Sequence, residues 1–149
     1  MSSYLHVVIA TDFGDECEMV ARKASKMVAR DGKLSLLHIL EPLDSIYGGE
    51  AYGATAIQLQ SIQDEINKTS QIHLDAFGKK LGISSEDHHL IIGQHAREIR
   101  RFAKENQVDL IVVGSHGRHG LGLLLGSTAN SILHGAECDV LAVRVHSEH

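Results

Sequence analysis

Apolar runs alternate along this chain with segments of helical period. A nearly continuous apolar run at residues 5–10 is typical of a strand covered on both faces, and further strands are predicted at 34–40, 88–92, 109–113 and 139–145. Strands separated by helices need crossover connections, and such crossovers are right-handed. The pattern therefore predicts a parallel α/β sheet with helices on both faces, without linkers or internal repeats.

Four segments between the strands place apolar residues at helical spacing. The first contains Asp15 and Glu18 in a capping arrangement and is predicted to end at Asp31-Gly32. The second is a long helix over roughly 54–81, for which Gly82 is a suitable C-terminal stop. Its apolar stripe consists of Leu59, Ile62, Ile66, Phe77 and Leu81. The last two helices are marked by Ala96, Ile99, Phe102 and Ala103, and by Ala129, Ile132 and Leu133.

Several candidate functional residues follow directly after predicted strands. Asp12, the segment after Leu40, Gly93 and the loop after Val113 all fall at carboxyl ends. Ligands of open parallel sheets sit beyond those ends, where the strand order reverses. The order of elements therefore predicts a single site at this edge of the sheet.

The segment 108–128, V-D-L-I-V-V-G-S-H-G-R-H-G-L-G-L-L-L-G-S-T, has the layout of a phosphate cradle. A strand leads into a glycine-rich loop and then into a helix start, where unpaired N–H groups and partial positive charge attract anions. The candidate phosphate-binding residues are Gly114, Ser115, His116, Gly117, Arg118, Gly126, Ser127 and Thr128. The alternative is a strand-to-helix turn that only requires glycines of positive φ. The P-loop motif G-x-x-x-x-G-K-[ST] is absent, and the 120–126 glycines only half resemble a dinucleotide fingerprint.

Composition narrows the class of protein. The 149 residues, 43% of them hydrophobic and 22% charged, predict one domain spanning 1–149 of ordinary globular type. A net charge of −5 argues against nucleic-acid binding. A few backbone N–H groups that point at a phosphate can still bind a nucleotide in an acidic protein. Cys17 and Cys138 form no C-x-x-C pair, and the chain shows no signal peptide or membrane-spanning run. These features predict a cytoplasmic protein without a membrane partner.

Catalytic and metal-binding groups do not stand out in the sequence. No nucleophile, base and orienting group form a recognisable triad, so we expect no fast enzyme. His88 and His89 are adjacent on a strand and should point to opposite faces, while His116 and His119 have no third partner at a suitable spacing. We therefore expect no metal site built from histidines, and only His116 is a candidate for a phosphate hydrogen bond.

Taken together, these segments resemble the universal stress protein family along essentially the whole chain. The match is carried by six pieces in the family's order: V-V-I-A-T-D at 7–12, L-L-H-I-L-E-P at 36–42, I-I-G-Q-H-A-R-E-I at 91–99, D-L-I-V-V-G-S-H-G-R-H-G-L at 109–121, L-L-G-S-T-A-N-S-I-L at 124–133 and A-E-C-D-V-L-A-V-R at 136–144. The resemblance implies a Rossmann-like, five-stranded parallel sheet of order 3-2-1-4-5 flanked by four helices.

The resemblance also implies a ligand. Many family members bind ATP through a motif similar to G-x2-G-x9-G-S/T, which Gly114, Gly117, Gly126 and Ser127 match in type. By the same resemblance, the adenosine lies near Ala10, Thr11 and Asp12, and Asp12 would accept from the base or ribose or help to hold Mg²⁺. Capping the first helix is the alternative role of Asp12. Ile39 and Val113 would form apolar walls for the adenine, with plain core packing as their alternative.

Two features leave a rival function open. The gap from Arg118 to Leu125 has eight residues, one fewer than the family motif, and Gly14 stands where the family often has Ser. The expected function is an ATP-binding regulatory or protective module of the stress response. The alternatives are an interaction protein that binds no nucleotide and a slow ATPase. In each case the last strand, 139–145, is expected to pair with a second copy, because an edge strand leaves backbone groups unpaired and family members commonly dimerise there.

Overall fold

The described residues of the computed structural model, 4–13, 17–42, 56–114 and 126–144, form a five-stranded parallel sheet. Its strands are β1 Tyr4–Ala10, β2 Val28–Leu40, β3 His88–Ile92, β4 Leu110–Gly114 and β5 Asp139–Val143. Their order is β3-β2-β1-β4-β5, and every neighbouring pair is parallel. The predicted fold class is therefore confirmed.

Helices cover both faces of this sheet. Within the described ranges they are α1 Cys17–Ser25, α2 Ala56–Lys80, α3 His95–Glu105 and α4 Gly126–Gly135, with a short 3-10 turn at Ser85–Asp87. Alternate strand residues point to opposite faces. Val7 and Ile9 pack in a cluster with residues of α1 and α2, whereas Val8 packs in a second cluster with residues of α3 and α4. The core thus consists of two layers separated by a buried sheet.

The first helix is shorter than predicted, and β2 is longer. The apolar pattern predicts a helix ending at Asp31-Gly32, but α1 ends at Ser25 and β2 already begins at Val28. Val28 pairs with Tyr4, and the register then shifts so that Lys33 pairs with His6. The predicted helix end is thus wrong, because the residues between Val28 and Lys33 form an irregularity inside the strand.

The long helix buries mainly its C-terminal half. Leu74 is fully buried although it was not part of the predicted stripe, while Ile62, which was part of it, is 49% exposed. Contacts with β2, β3 and the 3-10 turn hold α2 against the sheet. The helix ends beside Gly82, whose φ of 75° is the left-handed conformation expected of a glycine stop.

The remaining element boundaries differ from the predicted ones by a few residues. β4 begins one residue after Asp109 and includes Gly114, and α4 begins at Gly126, directly before the Ser127-Thr128 step where the sequence predicts a helix start. β5 ends at Val143, and residue 145 of the predicted strand lies outside the described residues. β5 occupies one edge of the sheet, as predicted.

Candidate functional site

The sheet brings several predicted site residues to one edge. Thr11 and Asp12 follow β1, Ile39 lies one residue before the end of β2, and Val113 and Gly114 end β4. Parallel strands end on the same side, so these residues share the carboxyl edge. The Thr11 N–H donates to the Leu37 carbonyl over 2.9 Å and so extends the ladder past the end of β1.

The strand order reverses between β1 and β4. From β1 the chain continues to β2 and β3 on one side, and then crosses to β4 and β5 on the other. Such a switch point opens a crevice at the carboxyl edge, where ligands of this sheet class bind. Asp12 follows β1 and Gly114 ends β4, the two strands between which the order reverses.

Part of the predicted site lies outside the described residues. Ser115, His116, Gly117 and Arg118 fall there, as do Gly14 and His119. For Gly126, Ser127 and Thr128 the backbone is described and forms the first turn of α4. Since α4 connects the end of β4 to the start of β5, its N-terminus faces the carboxyl edge.

A short hydrogen-bonded chain fixes the turn after β1. The Thr11 hydroxyl donates to Cys17 Sγ over 2.9 Å, and the Cys17 thiol donates to Asp12 Oδ1 over 3.6 Å. The Phe13 N–H donates to Thr11 Oγ1 over 3.1 Å. Burial raises the pKa of the Cys17 thiol, as does the nearby Asp12 carboxylate, so the thiol stays protonated and able to donate.

Phe13 and His38 complete the support of this turn. Phe13 has a φ of 62°, which is uncommon for a bulky side chain and marks a conformation that its surroundings must hold. Its ring lies 4.3 Å from that of His38, centroid to centroid. His38 Nδ1 donates to the Thr11 carbonyl over 2.7 Å, because a carbonyl oxygen only accepts. The turn is therefore held from both α1 and β2.

Sequence reasoning missed these supporting residues. The sequence indicates only that Cys17 has no C-x-x-C partner, whereas its thiol links Thr11 to Asp12 at the start of α1. His38 left a signal that could have been used, since it is a polar residue within the otherwise apolar end of β2. The left-handed φ of Phe13 left no signal, because the residue type does not favour it.

The two predicted adenine walls belong to the core. Ile39 is 3% exposed and Val113 is 6% exposed, and both pack in one cluster with Ile132 of α4. Ala10 packs partly buried against the same cluster. Core packing, the alternative role, is thus what the structure describes for Ile39 and Val113.

His88 and His89 make structural contacts. The His88 ring is hydrogen-bonded to Asp75 and to the Ile83 carbonyl, while His89 packs on Phe102 of α3 with ring centroids 4.7 Å apart. These two histidines point to opposite faces, as predicted. Within the described ranges, no group of three or more His, Cys, Asp or Glu side chains is placed to hold a metal ion. No helix among those residues is both long and apolar enough to span a bilayer.

Comparisons with known proteins give one family. Residues 3–144 match the family model described as "Universal stress protein family". The chain is 40% identical over 139 residues to "Universal stress protein A homolog 2" of Coxiella burnetii, covering 93% of this chain and 92% of that protein. It is similar in fold to "Universal stress protein UspA from Lactobacillus plantarum", with a TM-score of 0.76 at 20% identity, covering 97% of this chain and all of that one. A solved universal stress protein described as "in complex with cAMP" matches at 25% identity with a TM-score of 0.58, covering 95% of this chain and 98% of that one.

Proposed function

Because this chain belongs to the universal stress protein family, we propose that it binds an adenine nucleotide, ATP, at the carboxyl edge of its sheet. In this proposal the bound nucleotide makes the protein a regulatory or protective module of the stress response, acting in the cytoplasm. The nucleotide-bound form of the protein would carry the function, rather than rapid hydrolysis of the nucleotide. The protein would act as a homodimer.

One observation carries the proposal: Thr11 and Asp12 share the carboxyl edge with Gly114 and the first turn of α4, at the strand-order reversal. The first turn of a helix offers backbone N–H groups and partial positive charge to a phosphate. Asp12, on the other side, offers a carboxylate to ribose hydroxyls or an adenine amine. An acidic group and an anion-binding helix start on opposite sides of one crevice suit a nucleotide, which has a donor-rich end and an anionic end.

The relative solved with cAMP supports the class of ligand, since that protein has the same family name and its ligand contains adenosine and phosphate. If Mg²⁺ accompanies ATP, Asp12 is a described carboxylate at the carboxyl edge and would contribute an oxygen ligand. The metal would neutralise phosphate charge, which matters in a chain of net charge −5.

Isothermal titration with Mg-ATP and with cAMP tests the proposal. We expect saturable binding of an adenylate that weakens in Asp12→Asn by about tenfold, the order of one hydrogen bond to a charged group. Asp31→Asn is the matched control, because Asp31 is an exposed aspartate early in β2, far from the carboxyl edge. Equal affinities of the two variants would show that Asp12 does not contact the ligand.

Glycine substitutions test the phosphate end separately. In Gly117→Val and Gly126→Val, a side chain would occupy the space through which the phosphates approach the backbone. Binding should weaken in both variants while the far-ultraviolet circular dichroism stays unchanged. Steady phosphate release that is lost in Gly117→Val would instead support a slow ATPase.

A dimeric interaction protein without nucleotide is the second candidate, favoured by the core position of Ile39 and Val113. The edge position of β5 is compatible with both candidate functions, because both include a dimer. Pairing residues 139–145 with a second copy would give hydrogen-bond partners to the N–H and C=O groups on the outer side of β5. Light scattering after size exclusion tests the dimer. A dimer that gives no heat and no thermal shift at millimolar nucleotide would favour this candidate over ATP binding.

A further inference from the structure

Every polar group of Thr11 has a hydrogen-bond partner within the protein. Its N–H donates to the Leu37 carbonyl over 2.9 Å, and its carbonyl accepts from His38 Nδ1 over 2.7 Å. Its hydroxyl donates to Cys17 Sγ over 2.9 Å and accepts from the Phe13 N–H over 3.1 Å. Thr11 is only 8% exposed, so these partners are not readily exchanged for water. It therefore gives the turn after β1 a fixed starting point.

The carboxylate that follows Thr11 is constrained as well. The Cys17 thiol donates to Asp12 Oδ1 over 3.6 Å, which ties the carboxylate to the first residue of α1. Phe13, the residue after Asp12, has a φ of 62°. A bulky residue stays in the left-handed region only where its surroundings hold it there, and residues held in this way are concentrated at ligand sites. The backbone on both sides of Asp12 is thus set by contacts with other elements.

Two histidine rings hold the Phe13 side chain. The His38 ring of β2 lies 4.3 Å from the Phe13 ring, centroid to centroid, and the His73 ring of α2 lies 6.1 Å from it. Such separations are close to those of attractive aromatic pairs. Phe13 also packs against the buried cluster that contains Val20 and Leu74. A change of φ at Phe13 would redirect its side chain, so these contacts oppose a return to the common negative φ.

A fixed orientation of Asp12 matters for ligand affinity. Asp12 is the carboxylate to which the proposed function assigns a contact with the nucleotide. A turn that presented it correctly only one-tenth of the time would bind about tenfold more weakly, because apparent affinity scales with the competent fraction. If the same contacts served only the fold, breaking them would lower stability and leave the affinity of the folded protein unchanged.

We propose that Phe13, Cys17 and His38 are positioning residues of the nucleotide site, which hold the Asp12 carboxylate in its binding orientation before the ligand arrives. Cys17 acts on the carboxylate directly, while Phe13 and His38 act through the backbone of the turn. This role rests on the proposed function, since it concerns the affinity of the same site. Burial raises the pKa of the Cys17 thiol, which therefore stays protonated and acts as a hydrogen-bond donor.

Isothermal titration of variants with Mg-ATP tests this role. Cys17→Ala removes the thiol donor and should weaken binding about fivefold, the size of one hydrogen bond, whereas Cys17→Ser keeps a donor and should restore most of the affinity. Cys138→Ala is the matched control, because Cys138 is a partly buried free cysteine directly before β5, at the other end of the strands. Phe13→Gly should weaken binding about tenfold, because glycine adopts both signs of φ and lacks the ring.

Two further measurements separate positioning from a general loss of stability. If Cys17 acts through the carboxylate, Cys17→Ala should weaken binding no further once Asp12→Ala is present. In the ligand-free protein, a positive φ brings the amide proton close to the Hα of the same residue. The intraresidue nuclear Overhauser effect of Phe13 should therefore be strong, and it should weaken in Cys17→Ala and in His38→Ala.

The outcomes are distinguishable. Parent-like affinity in both Cys17→Ala and Phe13→Gly would overturn the positioning role and leave nucleotide binding intact. A further loss of affinity from Cys17→Ala on top of Asp12→Ala, or an unchanged Overhauser effect in both ligand-free variants, would also overturn it. A parent protein that binds no adenylate would overturn the proposed function, and the positioning role with it.

Discussion

Gly78 sits where a side chain would collide with a buried hydrogen-bonded histidine. A Cβ on Gly78 would overlap the His88 ring, with Cδ2 only 2.6 Å away. The His88 side chain is 3% exposed, and its two nitrogens lie 2.9 Å from Asp75 Oδ1 and 2.9 Å from the Ile83 carbonyl. Gly78→Ala therefore forces the ring out of both hydrogen bonds.

The size of the effect follows from opposing terms. Replacing Gly by Ala inside a helix normally stabilises by about 1 kcal/mol. Overpacking costs about 1–3 kcal/mol, and two lost hydrogen bonds cost about 1 kcal/mol each. The net expectation for Gly78→Ala is a destabilisation of about 2–4 kcal/mol, which corresponds to a Tm lower by about 4–16 °C for a chain of this length.

Urea denaturation followed by circular dichroism measures this change, and His88→Ala provides the control background. Without the ring, the added methyl of Gly78→Ala has space, so the substitution should stabilise the His88→Ala protein by the helix-propensity term. The two effects should thus have opposite signs. A stabilising Gly78→Ala in the parent protein would refute the steric reasoning.

Three further predictions follow from the described contacts. Burial lowers the pKa of His6 and of His89, so below about pH 6.5 the unfolded chain binds more protons, and the free energy of unfolding should fall with acidification. Urea titrations at several pH values should show that the free energy of unfolding depends less on pH in the variant His6→Gln/His89→Gln. An unchanged pH dependence would contradict the assignment of this effect to the two histidines. Gly32→Ala should destabilise the protein by about 1–3 kcal/mol in the same assay, because its Cβ would lie 2.9 Å from the Tyr4 carbonyl oxygen. An unchanged free energy of unfolding would show that the backbone at the strand irregularity can shift to accommodate the methyl group. Thr11→Val should destabilise by about 1–2 kcal/mol through the lost acceptor of the Phe13 N–H, whereas Thr11→Ser should not, and equal stabilities would exclude that role of the hydroxyl.

The sequence predicted the order of elements well, because the pattern is strongest where the sheet is buried on both faces. It failed at Asp31-Gly32, where a turn-like pair lies within a strand irregularity. Met27 and Val28 continue the helical spacing of α1, but Val28 pairs with Tyr4 instead. Strand pairing is a tertiary contact, and the local pattern contains no information about it.

The candidate site was predictable only as a location. Strand ends and glycines indicate the carboxyl edge of the sheet. Of the predicted site residues, Asp12, Val113 and Gly114 are described and lie at that edge. The link between Thr11 and Asp12 through the Cys17 thiol depends on a turn geometry that residue types do not specify.

Amide chemical shifts recorded during a titration with Mg-ATP test the central claim most directly. The account predicts saturable shifts for the amides of residues 10–13, 113–118 and 126–128, at the strand-order reversal. Shifts confined to the amino edge of the sheet, or none at millimolar ATP, would contradict it.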